Sequence, residues 1–226
     1  MLKCLATGST GNCYLVNLGG GWVILDAGIS VDNIVSEVNL NEVDFCFISH
    51  QHKDHSRSFD KLAFRGVKIL DGFTNQDFIK NEIKAKIKGN YSVWQFPVEH
   101  GECNCNACII KYEDELILYA TDFSVCKYNL NKFKFTQVLI ECNYLENRVD
   151  PTDIKMKRQI NTHMGLKGCI KILNTLDLSN CREIDLIHMS QAVGDSVIMG
   201  STIWSKYRIK TGVCRQFGGI TYYGRG

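Results

Sequence analysis

Residues 45–55 of the chain read FCFISHQHKDH, an apolar run followed at once by three histidines and an aspartate. The apolar run predicts a buried strand, and this strand delivers the polar residues into one short loop. Imidazole nitrogens and carboxylate oxygens are ordinary ligands of zinc and similar cations. Alternate residues of an extended chain can converge on one ion. The stretch therefore predicts a metal site, with four candidate ligands: His50, His52, Asp54 and His55.

Three more candidate ligands stand at or just beyond the ends of other strand-like segments. They are His100, Asp122 and His188. Ligands drawn from four distant loops suit an open, catalytic site at a sheet edge better than a closed structural zinc site. Seven candidates exceed what one tetrahedral ion uses, so two divalent ions that share a carboxylate are the simplest solution.

The segments around the cluster predict strands interleaved with helices. Residues 2–6, 13–18 and 22–26 read as a meander, and residues 30–38 as a helix that crosses over to the histidine strand. Further on, we expect helices at 59–64, 76–88 and 165–176, strands at 67–70, 91–98 and 138–140, and a hairpin formed by 108–112 and 116–120. We therefore expect an α/β fold in a single domain, residues 1–226.

Composition narrows the class of protein. The chain has no apolar run long enough to span a bilayer and no charged-then-apolar leader, so we expect a cytoplasmic protein that does not enter the membrane. Its eleven cysteines are then expected to be reduced thiols. Cys103, Cys105 and Cys108 lack a nearby fourth ligand for a structural zinc, so we expect free cysteines that continue the His100 loop.

The net charge of +2 is too small to indicate nucleic-acid binding by itself, but basic residues are concentrated in one segment. Residues 155–171 carry five lysines and arginines and no acidic residue, with His163 in the middle. One interpretation is a solvated helix face, and the other is a phosphate-binding surface beside the metal site. The sequence alone leaves both open.

The spacing His-x-His-x-Asp-His at residues 50–55 resembles the signature of the metallo-β-lactamase fold superfamily. The resemblance implies an αββα sandwich with the metal site at the sheet edge. It also implies that Asp26 stabilises the ligand loop without binding metal. For two ions, the resemblance implies one held by His50, His52 and His100, a second held by Asp54, His55 and His188, and Asp122 as the bridge.

Other segments resemble the small, single-domain, exonuclease-like members that are related to the core of RNase J. These segments are residues 8–12 (GSTGN), 141–144 (ECNY), 161–164 (NTHM) and 188–190 (HMS). Two segments depart from that pattern. Residues 192–194 (AVG) stand where an Asn-Asn pair is usual, and Gly101 follows His100 where an aspartate is usual.

We therefore expect a metal-dependent hydrolase, a phosphodiesterase or nuclease that acts on DNA or RNA through a hydroxide shared by two metal ions. Zn²⁺ is the expected metal, with Mn²⁺ and Fe²⁺ as alternatives. Asp54 is expected to be essential for catalysis, His163 to donate a proton to the leaving oxygen, and Asn143 to assist by hydrogen bonding. The alternative is a small-molecule hydrolase of the same fold acting on a thioester, lactone or cyclic phosphodiester. The oligomeric state stays open.

Overall fold

The computed structural model describes residues 1–73 and 91–224, and the strands within them form two sheets. The first sheet consists, in this order, of β1 (Leu2–Ala6), β2 (Cys13–Asn17), β3 (Trp22–Leu25), β4 (Val43–Ile48) and β5 (Ile69–Asp71). Strands β1 to β3 pair antiparallel, and β3 to β5 pair in parallel. The predicted meander and the crossover into the histidine strand are thus confirmed.

The second sheet has seven strands, and each strand pairs with the strands that precede and follow it in the chain. They are β6 (Tyr91–His100), β7 (Cys103–Tyr112), β8 (Glu115–Ala120), β9 (Gln137–Glu141), β10 (Glu183–Ile187), β11 (Lys210–Cys214) and β12 (Ile220–Tyr223). Strands β6 to β8 pair antiparallel, β8 to β11 in parallel, and β12 antiparallel to β11. Because β8, β9 and β10 are parallel, their carboxyl ends lie at one edge of the sheet.

Helices cover the outer faces of the sheets. They are α1 (Val31–Val35), α2 (Lys53–Ser56), α3 (Phe59–Phe64), α4 (Ile154–Thr162), α5 (Leu166–Leu173) and α6 (Ser196–Tyr207), with short 3-10 helices at Leu40–Glu42 and Glu146–Arg148. Side-chain caps fix several of their starts; for example, Asp153 accepts a hydrogen bond from the backbone N–H of Met156 at 2.9 Å. In the described ranges, no helix is long and apolar enough to cross a membrane. The helix expected at residues 76–88 lies outside these ranges.

Three buried clusters define the layers of the molecule. Ile34 of α1 belongs to a cluster on the outer face of the first sheet, and Met199 of α6 to one on the outer face of the second. Between the sheets, Phe47 and Tyr119 meet with ring centroids 6.1 Å apart. The order helix, sheet, sheet, helix confirms the expected αββα sandwich.

Three strands of the sandwich end in backbone that few residues adopt. Asp26 follows β3 with a φ of 56°, Asp122 follows β8 at 50°, and His188 follows β10 at 53°. Left-handed backbone at residues other than glycine is strained and tends to occur at functional sites. These three positions therefore mark the edge of the sandwich where a site is expected.

The structure corrects several boundaries and one local interpretation. The helices expected at 30–38 and 165–176 are Val31–Val35 and Leu166–Leu173. The strand expected at 67–70 is Ile69–Asp71, and the strand expected at 91–98 extends to His100. Residues 103–108 do not continue a loop after His100, because Gly101 and Glu102 close a tight hairpin turn and β7 begins at Cys103. Gly101 adopts a φ of 56°, which a turn of this kind requires.

Candidate metal centre

Three histidines bring ring nitrogens together at the edge of the sandwich. His50 follows β4, His52 stands at the start of α2, and His100 ends β6. His52 Nδ1 lies 2.9 Å from His50 Nε2 and 3.3 Å from His100 Nε2. The opposite nitrogens are held, since His100 Nδ1 donates to the Thr162 carbonyl at 2.9 Å and His50 Nδ1 lies 3.0 Å from Ser49 Oγ. This is how metal-binding imidazoles are usually oriented.

A second group forms beside the first from Asp54, His55 and His188. The Oδ2 atom of Asp54 lies 3.5 Å from His55 Nε2 and 3.8 Å from His188 Nε2. His188 Nε2 is buried and has no hydrogen-bond partner in the described part of the chain. A buried polar atom without a partner is costly unless it binds something. The orphaned nitrogen and the donor chemistry of the two groups fit a pair of divalent cations.

Asp122 lies between the two groups. Its Oδ1 is 3.3 Å from His55 Nε2, whereas its Oδ2 is 4.0 Å from His50 Nε2 and 3.7 Å from His100 Nε2. One carboxylate oxygen thus faces each group, which is the arrangement of a bridging ligand. The structure thereby brings together all seven residues that the sequence nominated as metal ligands, and His/Asp clusters of this kind are consistent with a dinuclear site.

Asp26 holds the ligand loop from below. Its buried carboxylate accepts hydrogen bonds from the Ser49 N–H at 2.7 Å, Ser49 Oγ at 2.9 Å, Tyr119 Oη at 2.6 Å and His55 Nδ1 at 2.5 Å. The last bond directs His55 Nε2 toward the ligand groups, and Asn12 Nδ2 lies 2.9 Å from that nitrogen. A carboxylate behind a ligand histidine fixes its tautomer and its orientation.

The sequence analysis missed the role of Glu141, which ends β9. Its fully buried carboxylate accepts from His163 Nδ1 at 2.7 Å and His188 Nδ1 at 3.1 Å through Oε1. Oε2 accepts from the backbone N–H groups of Phe123 at 2.9 Å and Met164 at 3.3 Å. The signal was present in the sequence, because a carboxylate ends a buried strand in the quoted segment 141–144, but carboxylates at strand ends are too common to indicate this role alone.

The two proposed accessory residues have distinct surroundings. His163 lies between α4 and α5 and lines the cavity over the site, and its Nδ1 is occupied by Glu141. Asn143 also lines the cavity, but Nδ2 donates to the His188 carbonyl at 2.6 Å and Oδ1 accepts from Gln159 at 2.5 Å. The Asn143 amide therefore already positions His188, while His163 has its Nε2 to offer to a substrate.

Neighbouring charges and burial together set the pKa values of the site residues. Burial alone would raise the pKa of Asp122, but His188 and His55 outweigh it and hold the pKa well below its usual range. Burial would lower the pKa of His55, but Asp122 and Asp26 raise it. For His50, burial and the neighbouring His55 lower the pKa. His50 is therefore held in the neutral form that binds a metal.

A cavity of about 770 Å³ opens over the ligand groups. Lys155 and Arg158 of α4 line one side of it, and the residues 8–9 and 189–192 line another. The basic segment 155–171 is thereby divided, since Lys157, Lys167 and Lys171 are exposed but do not line this cavity. The cavity thus combines candidate metal ligands with His163, which lies outside both ligand groups, and with two basic side chains.

The cysteines of β7 do not form a metal site of their own. Cys105 belongs to the buried cluster on the outer face of the second sheet, and Cys108 belongs to the cluster between the sheets. The two thiols therefore lie on opposite faces of β7. Cys103 lines the cavity, and Cys105 Sγ lies 3.8 Å from His50 Nδ1. All three are free cysteines, as expected, although they stand on a strand.

Comparisons with known proteins agree with this geometry. Residues 6–81 match the model of the family described as the metallo-beta-lactamase superfamily. The chain is 28% identical over 116 residues to exodeoxyribonuclease YycJ of Bacillus anthracis, a match that covers 42% of this chain and 44% of that protein. The chain thus spans less than half the length of this relative.

Solved structures share the fold at low sequence identity. The metallo-beta-lactamase fold protein YhfI of Bacillus subtilis superposes with a TM-score of 0.67 at 15% identity, covering 98% of this chain and 99% of that one. The short form of human tRNase Z superposes with a TM-score of 0.55 at 12% identity, covering 84% and 93%. Identities this low show the fold alone.

An αββα sandwich with two adjoining His/Asp groups at its edge defines a metallo-hydrolase type of protein. Residues 6–81 match the model of the metallo-β-lactamase superfamily, and almost the whole chain superposes on a protein of that fold. The chain therefore has the metallo-β-lactamase fold.

Proposed function

We propose that the chain is a metal-dependent hydrolase that cleaves phosphodiester bonds in DNA or RNA. The observation that supports this most is the cavity that Lys155 and Arg158 line together with residues of the two ligand groups. Basic side chains in the same cavity as a metal site suit a substrate that carries phosphates on both sides of the bond to be cut. The distant likeness to an exodeoxyribonuclease points in the same direction.

In this proposal His50, His52 and His100 would hold one cation, Zn²⁺ before Mn²⁺ or Fe²⁺. Asp54, His55 and His188 would hold the other, and Asp122 would contribute to both. Bound divalent cations supply Lewis acidity toward a phosphoryl oxygen and lower the pKa of water. Asp26 keeps His55, and Glu141 keeps His188, in the tautomer that leaves Nε2 free to bind a cation.

The chain's own residues then provide substrate orientation and a proton. The Glu141 carboxylate accepts from His163 Nδ1, so His163 Nε2 is the nitrogen that can protonate the leaving oxygen. Burial would lower the pKa of His163, but Glu141 raises it, so the protonated imidazole is favoured. Lys155 and Arg158 hold a flanking phosphate, and Asn143 keeps the His188 backbone in place.

A second candidate is hydrolysis of a small molecule, namely a thioester, lactone or cyclic phosphodiester. It is favoured by the size of the cavity, about 770 Å³, which lies in the range of small-molecule sites. The small net charge of +2 also suits such a substrate. The two functions differ in whether Lys155 and Arg158 are needed for turnover.

The proposal is tested by counting metals in the purified chain and assaying it on matched substrates. These are 5′- and 3′-labelled single and double strands, bis-p-nitrophenyl phosphate, a thioester and a lactone. We expect two metals per chain and phosphodiester hydrolysis that a chelator abolishes. Asp54→Ala removes one metal and the activity, whereas Asp60→Ala, at an exposed acid of α3, changes neither. Activity that survives complete chelation contradicts the proposal.

The basic residues of α4 that line the cavity distinguish the two proposed functions. Arg158→Ala should raise KM for labelled strands and lower the slope of log affinity against log salt by about one. Lys157→Ala is the matched control, since Lys157 is exposed on the same helix but does not line the cavity. Turnover of the thioester or lactone alone, unaffected by Arg158→Ala, would favour the small-molecule function.

A further inference from the structure

A second cavity of about 1000 Å³ adjoins the metal cavity. It lies between α1, β1 and residues 215–219, the turn that joins β11 to β12. Gln216 lines both cavities, and its Nε2 donates to Thr10 Oγ1 at 3.3 Å. The two cavities therefore share Gln216, whereas Thr10 lines only the second one, which we call the Phe217 groove.

Phe217 lines this groove and is 87% exposed. The turn that carries it is braced on both sides. Gly219 N–H donates to the Cys4 carbonyl of β1 at 2.8 Å, and Arg215 N–H donates to the Gly219 carbonyl at 3.0 Å. Single exposed apolar residues are common on proteins, but this one is held by a fixed turn directly beside a residue of the metal cavity.

The rest of the groove combines apolar residues with two basic residues, Lys3 and Arg57, and one acidic residue, Glu37. Leu5, Ile29 and Ile220 line it, and Arg57 is exposed at its side. Within residues 1–73 and 91–224 the structure gives Arg57 no ion pair, whereas Lys3 lies 3.9 Å from Glu37. An aromatic face, apolar walls and a cation are the features with which proteins bind single-stranded nucleic acids.

We propose that the Phe217 groove takes the nucleotides that flank the scissile bond of a single strand, with a base stacked on Phe217 and a phosphate near Arg57. This inference rests on the proposed function, because a polymer cut in the metal cavity has to continue beyond it. The position of Gln216 in the lining of both cavities supports a strand that runs on from the site. It favours that occupant over a peptide or a second copy of the chain, which need no link to the metal cavity.

The first test measures binding without cleavage. The full chain is freed of metal with a chelator, and the anisotropy of a fluorescent single-stranded oligonucleotide is followed. Phe217→Ala and Phe217→Leu should each weaken binding about fivefold or more, because one stacked base is lost, and Phe217→Tyr should restore it. Phe64→Ala is the matched control, since Phe64 is 94% exposed on α3 but lines neither cavity.

The second test uses the metal-loaded protein. Its readout is kcat/KM for single strands of increasing length divided by kcat/KM for bis-p-nitrophenyl phosphate. Phe217→Ala should lower that ratio about fivefold or more for long strands, and Phe64→Ala should leave it unchanged. If no variant hydrolyses any phosphodiester, the proposed function fails, while the anisotropy result still decides the groove.

Three results would overturn the proposal that the Phe217 groove binds a single strand. The first is binding by Phe217→Ala equal to that of the unmodified chain, or no binding of single strands at all. The second is full binding by Phe217→Leu, which keeps apolar bulk but has no aromatic face for a base. The third is a change of sedimentation with Phe217→Ala, which would assign the surface to a second copy of the chain.

Discussion

Glu141 and Asp185 are buried carboxyl groups on neighbouring strands of one sheet, and their surroundings differ sharply. Glu141 ends β9 and accepts four hydrogen bonds, from two histidines and two backbone amides. Asp185 lies in the middle of β10, where Oδ2 accepts from Gln137 Nε2 at 2.7 Å. In the described part of the chain its Oδ1 has no hydrogen-bond partner.

The pKa values of the two groups shift in opposite directions. Burial would raise the pKa of Glu141, but His163 and the hydrogen bonds of both histidines outweigh it and lower the pKa. For Asp185, burial and the neighbouring Glu183 raise the pKa well above its usual range, and Gln137 and Lys210 only partly oppose them. Burial beside another acid and with few donors therefore favours the neutral form of Asp185, whereas the donors around Glu141 favour its ionised form.

The difference shows where the fold has fixed its polar groups for chemistry. At the metal edge, donors from several elements converge on each carboxylate, so the ligand nitrogens are oriented before a cation arrives. At Asp185 the sheet has one donor, so the carboxyl group reduces stability at neutral pH. Substitutions at the metal edge should consequently affect metal binding and kcat, whereas substitutions at Asp185 should affect the free energy of unfolding.

The largest effect is expected from Glu141→Gln. The glutamine oxygen stays with the backbone N–H groups of Phe123 and Met164, so its NH₂ faces Nδ1 of His163 and His188. Both imidazoles must then move their proton to Nε2, and His188 loses its nitrogen for the metal. We expect kcat to fall by about a hundredfold or more, with loss of one metal, measured by steady-state kinetics and metal analysis.

Glu102→Gln is the control for that substitution, because Glu102 is an exposed acid in the wall of the same cavity. It should retain both metals and its kcat. Full metal content and unchanged kcat in Glu141→Gln would show that Glu141 is merely a buried structural acid, like Asp185.

A smaller loss is expected from Asp26→Asn, which affects only the ligand His55, whereas Glu141→Gln affects the ligand His188 and the proposed proton donor His163. Asparagine tolerates the φ of 56° at this position. Its NH₂ would face His55 Nδ1, so the proton of His55 moves to Nε2, the nitrogen directed at the ligand groups. Metal affinity should fall about tenfold to a hundredfold in a competition titration with a chelator.

Asp44→Asn controls for the loss of a buried carboxylate in the same sheet. Asp44 accepts from Tyr91 Oη at 2.9 Å and is not part of any ligand group. This variant should lower stability without weakening metal binding. Equal metal affinities of Asp26→Asn and the unmodified chain would mean that Asp26 does not set the His55 tautomer.

The sequence predicted the metal edge better than the rest of the molecule, for a physical reason. Three histidines and an aspartate within six residues directly after a strand are rare, so their spacing at residues 50–55 indicates ligands directly. The sandwich was implied by the resemblance of that spacing to the metallo-β-lactamase signature, and the two sheets confirm it. Glu141 was not assigned a role because its partners, the backbone amides of Phe123 and Met164, are placed only by the tertiary structure. The cysteines of β7 were assigned to a loop because the hairpin turn at residues 101–102 is short.

The sequence likewise did not indicate that Asp185 is a buried carboxyl group. The alternation in residues 183–187 predicts a strand, but it does not show that both faces of this strand are covered. A strand buried on both faces can carry a carboxyl group into the interior, where only a neighbouring strand can supply its donor. That pairing, Gln137 opposite Glu183 with its amide reaching Asp185, depends on the register of β9 against β10.

The Asp185 end can be tested by stability alone. The native pKa of Asp185 lies above its unfolded value, so the folded chain binds more protons and loses stability as pH rises through that interval. Asp185→Asn removes this loss because an amide does not ionise. The free energy of unfolding should exceed that of the unmodified chain by about 1 kcal/mol or more at about pH 8, with the gain shrinking toward about pH 4.

Urea unfolding at several pH values measures that difference. Asp114→Asn, in the exposed turn between β7 and β8, is the control and should show no gain at any pH. A loss of stability in Asp185→Asn at about pH 8 would mean that Asp185 is ionised and stabilised by Lys210. The contrast with Glu141 would then disappear.

The smallest effect is expected from Gln137→Leu, which removes the donor to Asp185 Oδ2 while keeping a side chain of similar size. The free energy of unfolding should fall by about 1 kcal/mol. Because the Gln137 hydrogen bond lowers the pKa of Asp185, its removal raises that pKa further, so the loss should grow as pH rises. Gln95→Leu, at a buried glutamine of β6, should show a loss that does not depend on pH. A pH-independent loss in Gln137→Leu as well would show that Asp185 stays neutral throughout, leaving Gln137 to act only as a buried hydrogen-bond donor.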